Sequence, residues 1–99
     1  MKKRLRNIHP GEVLREEFLT PLGVTQYALA VAAGIPHSGV TALVHGRRAI
    51  TADTAHRLAR FFGVSPEFWL GLQRDYDLEE AARAHAAEYR AIRPVAIPA

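Results

Sequence analysis

Between Gly34 and Arg48 the chain reads Gly-Ile-Pro-His-Ser-Gly-Val-Thr-Ala-Leu-Val-His-Gly-Arg-Arg. If the stretch after Pro36 is helical, Val40, Leu43 and Val44 face in, while His37, Ser38, Thr41, Ala42 and His45 face out. The chemistry on offer is recognition of a duplex rather than bond making. Ser38 and Thr41 can exchange hydrogen bonds with base edges or phosphates, and Ala42 can rest on a thymine methyl group. Arg47 and Arg48, just past the helix, can clamp phosphate. An ordinary polar helix face ending in a solvated basic turn uses the same residue types, so spacing alone leaves both readings open.

Other chemistries find less support. The five histidines include no pair at i, i+3 or i+4 spacing, and cysteine is absent, so no metal site is expected. No nucleophile–base–acid set and no phosphate-cradling glycine loop stands out, and Glu16-Glu17 and Glu79-Glu80 are adjacent on helices and point in different directions. No catalytic residue and no cofactor are expected.

The elements that position the outward row follow from local signals. Period-2 runs are absent, and short apolar stripes alternate with Gly and Pro, which gives an all-α chain. A first helix opens at His9-Pro10, with Glu12, Glu16 and Glu17 near its positive end, and closes at Thr20-Pro21-Leu22-Gly23. Thr25 caps a second helix carrying Ala28, Leu29, Ala32 and Ala33, and Gly34 ends it. The third begins after Pro36 and stops at Gly46. Helix, glycine turn and helix with a polar face together make a helix-turn-helix unit. Thr51 caps a fourth helix (Ala55, Leu58, Ala59, Phe62), and Ser65-Pro66 opens a fifth through Phe68, Trp69, Leu72 and Tyr76, with Trp69 and Phe68 assigned to the core. A second stripe, Leu78, Ala82, His85, Tyr89 and Ile92, is rotated from the first, which predicts a kink near Asp75–Asp77 and leaves three uses open: core, dimer seam or partner dock. Residues 93–99 read as an extended tail past Pro94.

Ninety-nine residues, 48% of them hydrophobic, suffice for one compact domain. Residues 1–64 hold nine Lys/Arg and four acids, whereas residues 65–99 hold four and six, so a polyanion would meet the first part. The basic start (Lys2, Lys3, Arg4, Arg6) has no apolar run behind it and does not read as a signal peptide; residues 3–7 read as a mobile basic arm. No run approaches a membrane span. The lack of cysteine fits a cytoplasmic protein.

Several strings carry a resemblance. Thr25-Gln26-Tyr27-Ala28-Leu29-Ala30 with Gly34-Ile35-Pro36 resembles the Cro/repressor (XRE) type of helix-turn-helix. His9-Pro10-Gly11-Glu12, the run Gly46 to Ala55, Arg57 to Gly63, Ser65-Pro66-Glu67-Phe68-Trp69-Leu70 and Tyr76-Asp77-Leu78 are similar to the HigA (VapI-like) antitoxins, over residues 9 to about 80. The resemblance implies a five-helix, lambda-repressor-like domain (9–76) between a basic arm (1–8) and a C-terminal helical extension (77–99). It implies a homodimer that binds a palindromic double-stranded DNA operator, represses its own operon and neutralises a HigB-type, RelE-like mRNA-cleaving toxin, without enzymatic activity. It assigns a phosphate contact to Gln26; the outward helix face and the basic turn after it offer His37, Ser38, Thr41, Ala42, His45, Arg47 and Arg48 as further DNA contacts, and the second apolar stripe, Leu78, Ala82, His85, Tyr89 and Ile92, is the expected dimerisation element. Relatives generally carry Lys at the position of Val31, Arg at those of His37, Gly39 and His45, and often Asn-Asp where Thr41-Ala42 stands. The recognition helix of this chain is correspondingly poor in cations. Two alternatives share the fold: a stand-alone repressor without a toxin, and a protein-interaction module with weakened DNA binding.

Overall fold

The computed structural model describes residues 6–97, all helical or irregular within that range. The first rod, α1, is one continuous helix in three stretches: Pro10–Val13 as α-helix, Leu14–Leu19 as π-helix and Thr20–Leu22 as α-helix. The wide turn has a local cause. Pro21 lacks an N–H, and its ring crowds the carbonyl four residues back; the Thr20 N–H bonds Arg15 O, five back, and the looser register accommodates the ring. Then follow α2 (Gln26–Ala33), α3 (His37–Val44), α4 (Ala52–Phe62), α5 (Pro66–Ala84) and α6 (Ala86–Ala91).

The caps read from the sequence are formed. The hydroxyl oxygens of Thr25, Thr51 and Ser65 accept from the amides of Ala28, Thr54 and Phe68, and Gly23, Gly34 and Gly63 end their helices in the left-handed region. One core joins Leu14, Leu19, Leu29, Val40, Leu43, Val44, Ile50, Ala55, Leu58 and Trp69. Trp69 is fully buried, with Phe18 at 4.7 Å and Phe62 at 5.9 Å between ring centroids. Phe68, expected in the core with Trp69, is instead exposed and only edges the cluster through the rings of Phe18 and Trp69.

Two further expectations are corrected. On α2 the buried pair is Leu29 and Ala30, whereas Ala28 and Ala32 lie exposed, so the core face is turned from the predicted one. The fifth helix has no kink at Asp75–Asp77: α5 runs unbroken to Ala84, and the break falls at His85 (φ −125°, ψ 25°). The stripe changes phase at Leu78 because the core ends near Tyr76 and the rest of α5 stands off it. The chain measures 53 × 34 × 24 Å with a radius of gyration of 17.0 Å, against about 13 Å for a compact domain of this length.

Candidate nucleic-acid interface

A helix, a glycine turn and a second helix set the site. Gly34 (φ +70°) turns the chain after α2, and the Ile35 N–H reaches back to Ala30 O at 3.0 Å. Arg57 of α4 closes the end of α2: Nη1 donates to Ala33 O and Gly34 O at 3.1 and 3.3 Å, while Nε holds Asp53 at 2.9 Å. A cation suits that end of the helix dipole. Val40, Leu43 and Val44 pin α3 to the core, which leaves the opposite face and the N-terminus of α3 in solvent. That N-terminus has no side-chain cap; the Gly39 N–H bonds Pro36 O at 2.9 Å, which leaves the His37 and Ser38 amides to meet an anion.

The expected contact residues gather on this face. His37 and Ser38 are exposed at the start of α3, with the His37 ring edge-on to Tyr27 at 6.1 Å. Thr41 and Ala42 are half-buried one turn on. Gln26, at the start of α2, is joined to them: its Oε1 accepts the Thr41 hydroxyl at 3.0 Å. The Thr41 proton is thereby committed, so its oxygen offers a base or phosphate only acceptor capacity. His45 donates from Nδ1 to Thr41 O at 2.8 Å, which seats its ring over the last turn of α3. Arg47 and Arg48 follow, exposed, after Gly46 (φ +75°). Of the basic arm, residues 1–5 lie outside the described residues. Arg6 is tied to Glu12 by two hydrogen bonds, and Asn7 Nδ2 donates to Tyr76 O and Glu80 Oε2.

What fixes the Gly46–Ile50 loop was missed in the sequence. Gln73 of α5, buried, accepts the Ile50 N–H at 2.7 Å and donates to Asp77 Oδ1 at 2.9 Å. His9 holds the other end. Its Nδ1 accepts the Gly11 N–H at 2.9 Å as the cap of α1, and its ring meets Tyr76 edge-on at 4.9 Å and lies against Gly46. A buried amide four residues from a carboxylate carries no sequence signal, because an exposed Gln reads the same. The His9-Pro10 helix opening was visible, but not that its imidazole touches a loop nearly forty residues on.

Burial holds the His9 pKa below the ordinary histidine value, and the nearby Asp77 charge and the Arg48 backbone oppose that only in part. The neutral ring is also the one whose Nδ1 can accept from Gly11. A depressed folded-state pKa contributes stability that is present above the unfolded value and is lost as pH falls through the folded one. Thermal melts between about pH 7.5 and about pH 5.5 should therefore fall more steeply for the wild type than for His9→Asn, which keeps a capping oxygen and does not titrate. Equal slopes for the two proteins would remove His9 from this role.

The second stripe lies open. Leu78 is 64% exposed and Ile92 68%, and Ala82, His85 and Tyr89 are also exposed. His85 pairs with Glu88 Oε1 at 2.5 Å and faces the Tyr89 ring at 5.8 Å. Among the described residues, no group of three or more His, Asp or Glu could hold a metal ion, and no helix is long and apolar enough to cross a membrane.

Residues 14–69 match the helix-turn-helix family HTH_3. Virulence-associated protein I of Dichelobacter nodosus is 48% identical over 80 residues, 81% of this chain and 74% of that protein. Antitoxin HigA-1 of Vibrio cholerae is 37% identical over 94 residues, 95% of this chain and 89% of its own length. Among solved structures, the Pseudomonas aeruginosa antitoxin HigA with the higBA promoter superposes with a TM-score of 0.87 at 40% identity, covering 92% of this chain and all of that one.

Proposed function

The chain belongs to the HigA and VapI-like group of helix-turn-helix proteins, a non-enzymatic DNA-binding class, and we propose that it is the antitoxin of a HigBA-type module, acting as a cytoplasmic homodimer. It represses its own operon by binding a palindromic operator, and it neutralises a RelE-like toxin. The observation that carries this reading is the uncapped, solvent-facing start of α3, with Gln26, Ser38 and Thr41 beside it and Arg47 and Arg48 in the loop that follows, on a fold shared with a HigA antitoxin solved with the higBA promoter.

In this reading α3 enters the major groove. Gln26 and the amides of His37 and Ser38 meet phosphate, Ser38, Thr41 and Ala42 face base edges, and the rings of His37 and His45 lie on the same face. Arg47 and Arg48 take phosphates from a loop that His9 and Gln73 hold in place. Residues 9–76 form the DNA-binding unit, residues 1–8 a basic arm, and residues 77–99 the dimerisation element through Leu78, Ala82, His85, Tyr89 and Ile92.

The test is a salt titration of binding to a duplex spanning the DNA immediately upstream of the coding sequence. Arg47→Ala and Arg48→Ala should each lower the log–log salt slope by about 0.9, and a RelE-like protein encoded next to the gene should copurify. An unchanged slope would show that the loop arginines do not contact phosphate. No salt-dependent binding at all would favour the interaction-module alternative.

A further inference from the structure

Position 39 is unusual within α3. Gly39 is buried, in ordinary helical backbone, and its φ is not positive, so conformation does not demand glycine there. Glycine is also the poorest helix former after proline. What the position lacks is room. A Cβ would lie 2.7 Å from Nη1 and 3.6 Å from Cζ of Arg48, and 3.5 Å from Ile35 Cγ2, the last an ordinary contact. The guanidinium from the loop thus sits where a side chain at position 39 would begin. Arg48 lines a recess of about 230 Å³ between α3 and the start of α4. The acid of that recess, Asp53, is held by Arg57 at 2.9 Å, and among the described residues no carboxylate pairs with Arg48. Residues 37–44 contain no Lys, Arg, Asp or Glu, so the helix has no permanent cation of its own.

We propose that Gly39 is a positioning residue for DNA binding: the missing side chain seats the Arg48 guanidinium on the flank of α3, so the recognition helix presents a cation that its own sequence does not encode. The physical gain is preorganisation. A free arginine loses rotamer freedom when it meets phosphate, whereas one already lodged against the helix loses less. The inference rests on reading Arg48 as a DNA contact, as above.

Gly39→Ala has two effects of opposite sign, and this separates the seat from a merely structural role. The neighbour that must move is the tip of a flexible side chain, so alanine should raise Tm by about 4 °C or more through helix propensity. Binding of the full-length variant to the upstream duplex should nonetheless weaken, by about three- to tenfold. Adding Gly39→Ala to Arg48→Ala should cost nothing further, because the two act through one guanidinium. If Arg48→Ala weakens binding and Gly39→Ala does not, the seat is refuted while the Arg48 contact stands. If Arg48→Ala leaves affinity and salt slope unchanged, the contact fails and the seat with it. Losses that multiply in the double variant, or a lowered Tm for Gly39→Ala, would also overturn the proposal, since the Cβ would then be resisted by something other than Arg48.

Discussion

Gly11→Ala should unfold this domain or come close to it. Gly11 is buried in the first turn of α1, and a Cβ there would fall 1.7 Å from Leu43 O and 2.7 Å from Leu43 C, on the backbone of α3. Alanine is the better helix former by about 1 kcal/mol, so propensity alone predicts stabilisation. Packing decides the other way. Leu43 O also accepts the Gly46 N–H at 3.0 Å, so α3 cannot retreat without disturbing the turn that leads into Arg47 and Arg48. Overpacking of a core costs about 1–3 kcal/mol when side chains can yield, and more when backbone must move. A loss of at least about 3 kcal/mol, from the roughly 5–15 available to such a domain, would lower Tm by about 12 °C or more. Urea titration followed through Trp69, the single tryptophan and fully buried, measures it directly. A variant as stable as wild type would mean that α1 and α3 do not cross this closely. The same substitution at position 39 is expected to have the opposite sign, because there the obstacle is an arginine tip.

These two glycines mark what the sequence could and could not convey. The caps at Thr25, Thr51 and Ser65 and the stops at Gly34 and Gly63 were legible, because each is decided by chemistry within four residues. The outward row on α3 was legible for the same reason: once Val40, Leu43 and Val44 turn inward, helical geometry fixes the rest. Contacts between distant segments were not legible. Nothing near Gly11 says that Leu43 lies against it, nothing near Gln73 says that it meets Ile50, and a hydroxyl on a polar face gives no sign that Thr41 is already bonded to Gln26. The displaced break is a different kind of error. The phase change between Trp69, Leu72 and Tyr76 on one side and Leu78 and Ala82 on the other was real, but it records two surfaces presented by one straight helix, not a bend. The π-turn at Leu14–Leu19 was foreshadowed by Pro21, a residue that also fits a plain helix end.

Charging the second stripe should separate the protomers and, with them, the grip on DNA. Leu78 and Ile92 are about two-thirds exposed in the single chain, and the end of α5 with α6 projects from a molecule more extended than its length requires. An isologous pairing of two such stripes would cover them and would place two recognition helices about a two-fold axis, as a palindromic operator demands. The double variant Leu78→Glu, Ile92→Glu should leave the domain folded, since surface changes of this kind stay within about 0.5 kcal/mol. It should nonetheless sediment as a monomer at concentrations where the wild type is a dimer. Operator affinity should fall by about 100-fold or more, because the second half-site would no longer be bound at the high effective concentration that linkage provides. A charge-preserving control, Leu78→Ala with Ile92→Ala, should weaken the dimer less, since it trims apolar area without placing like charges across the axis. If the glutamate variant still forms dimers, the seam lies elsewhere. If it is monomeric yet binds the operator as tightly as wild type, one protomer suffices for recognition, and the extension is left for another partner.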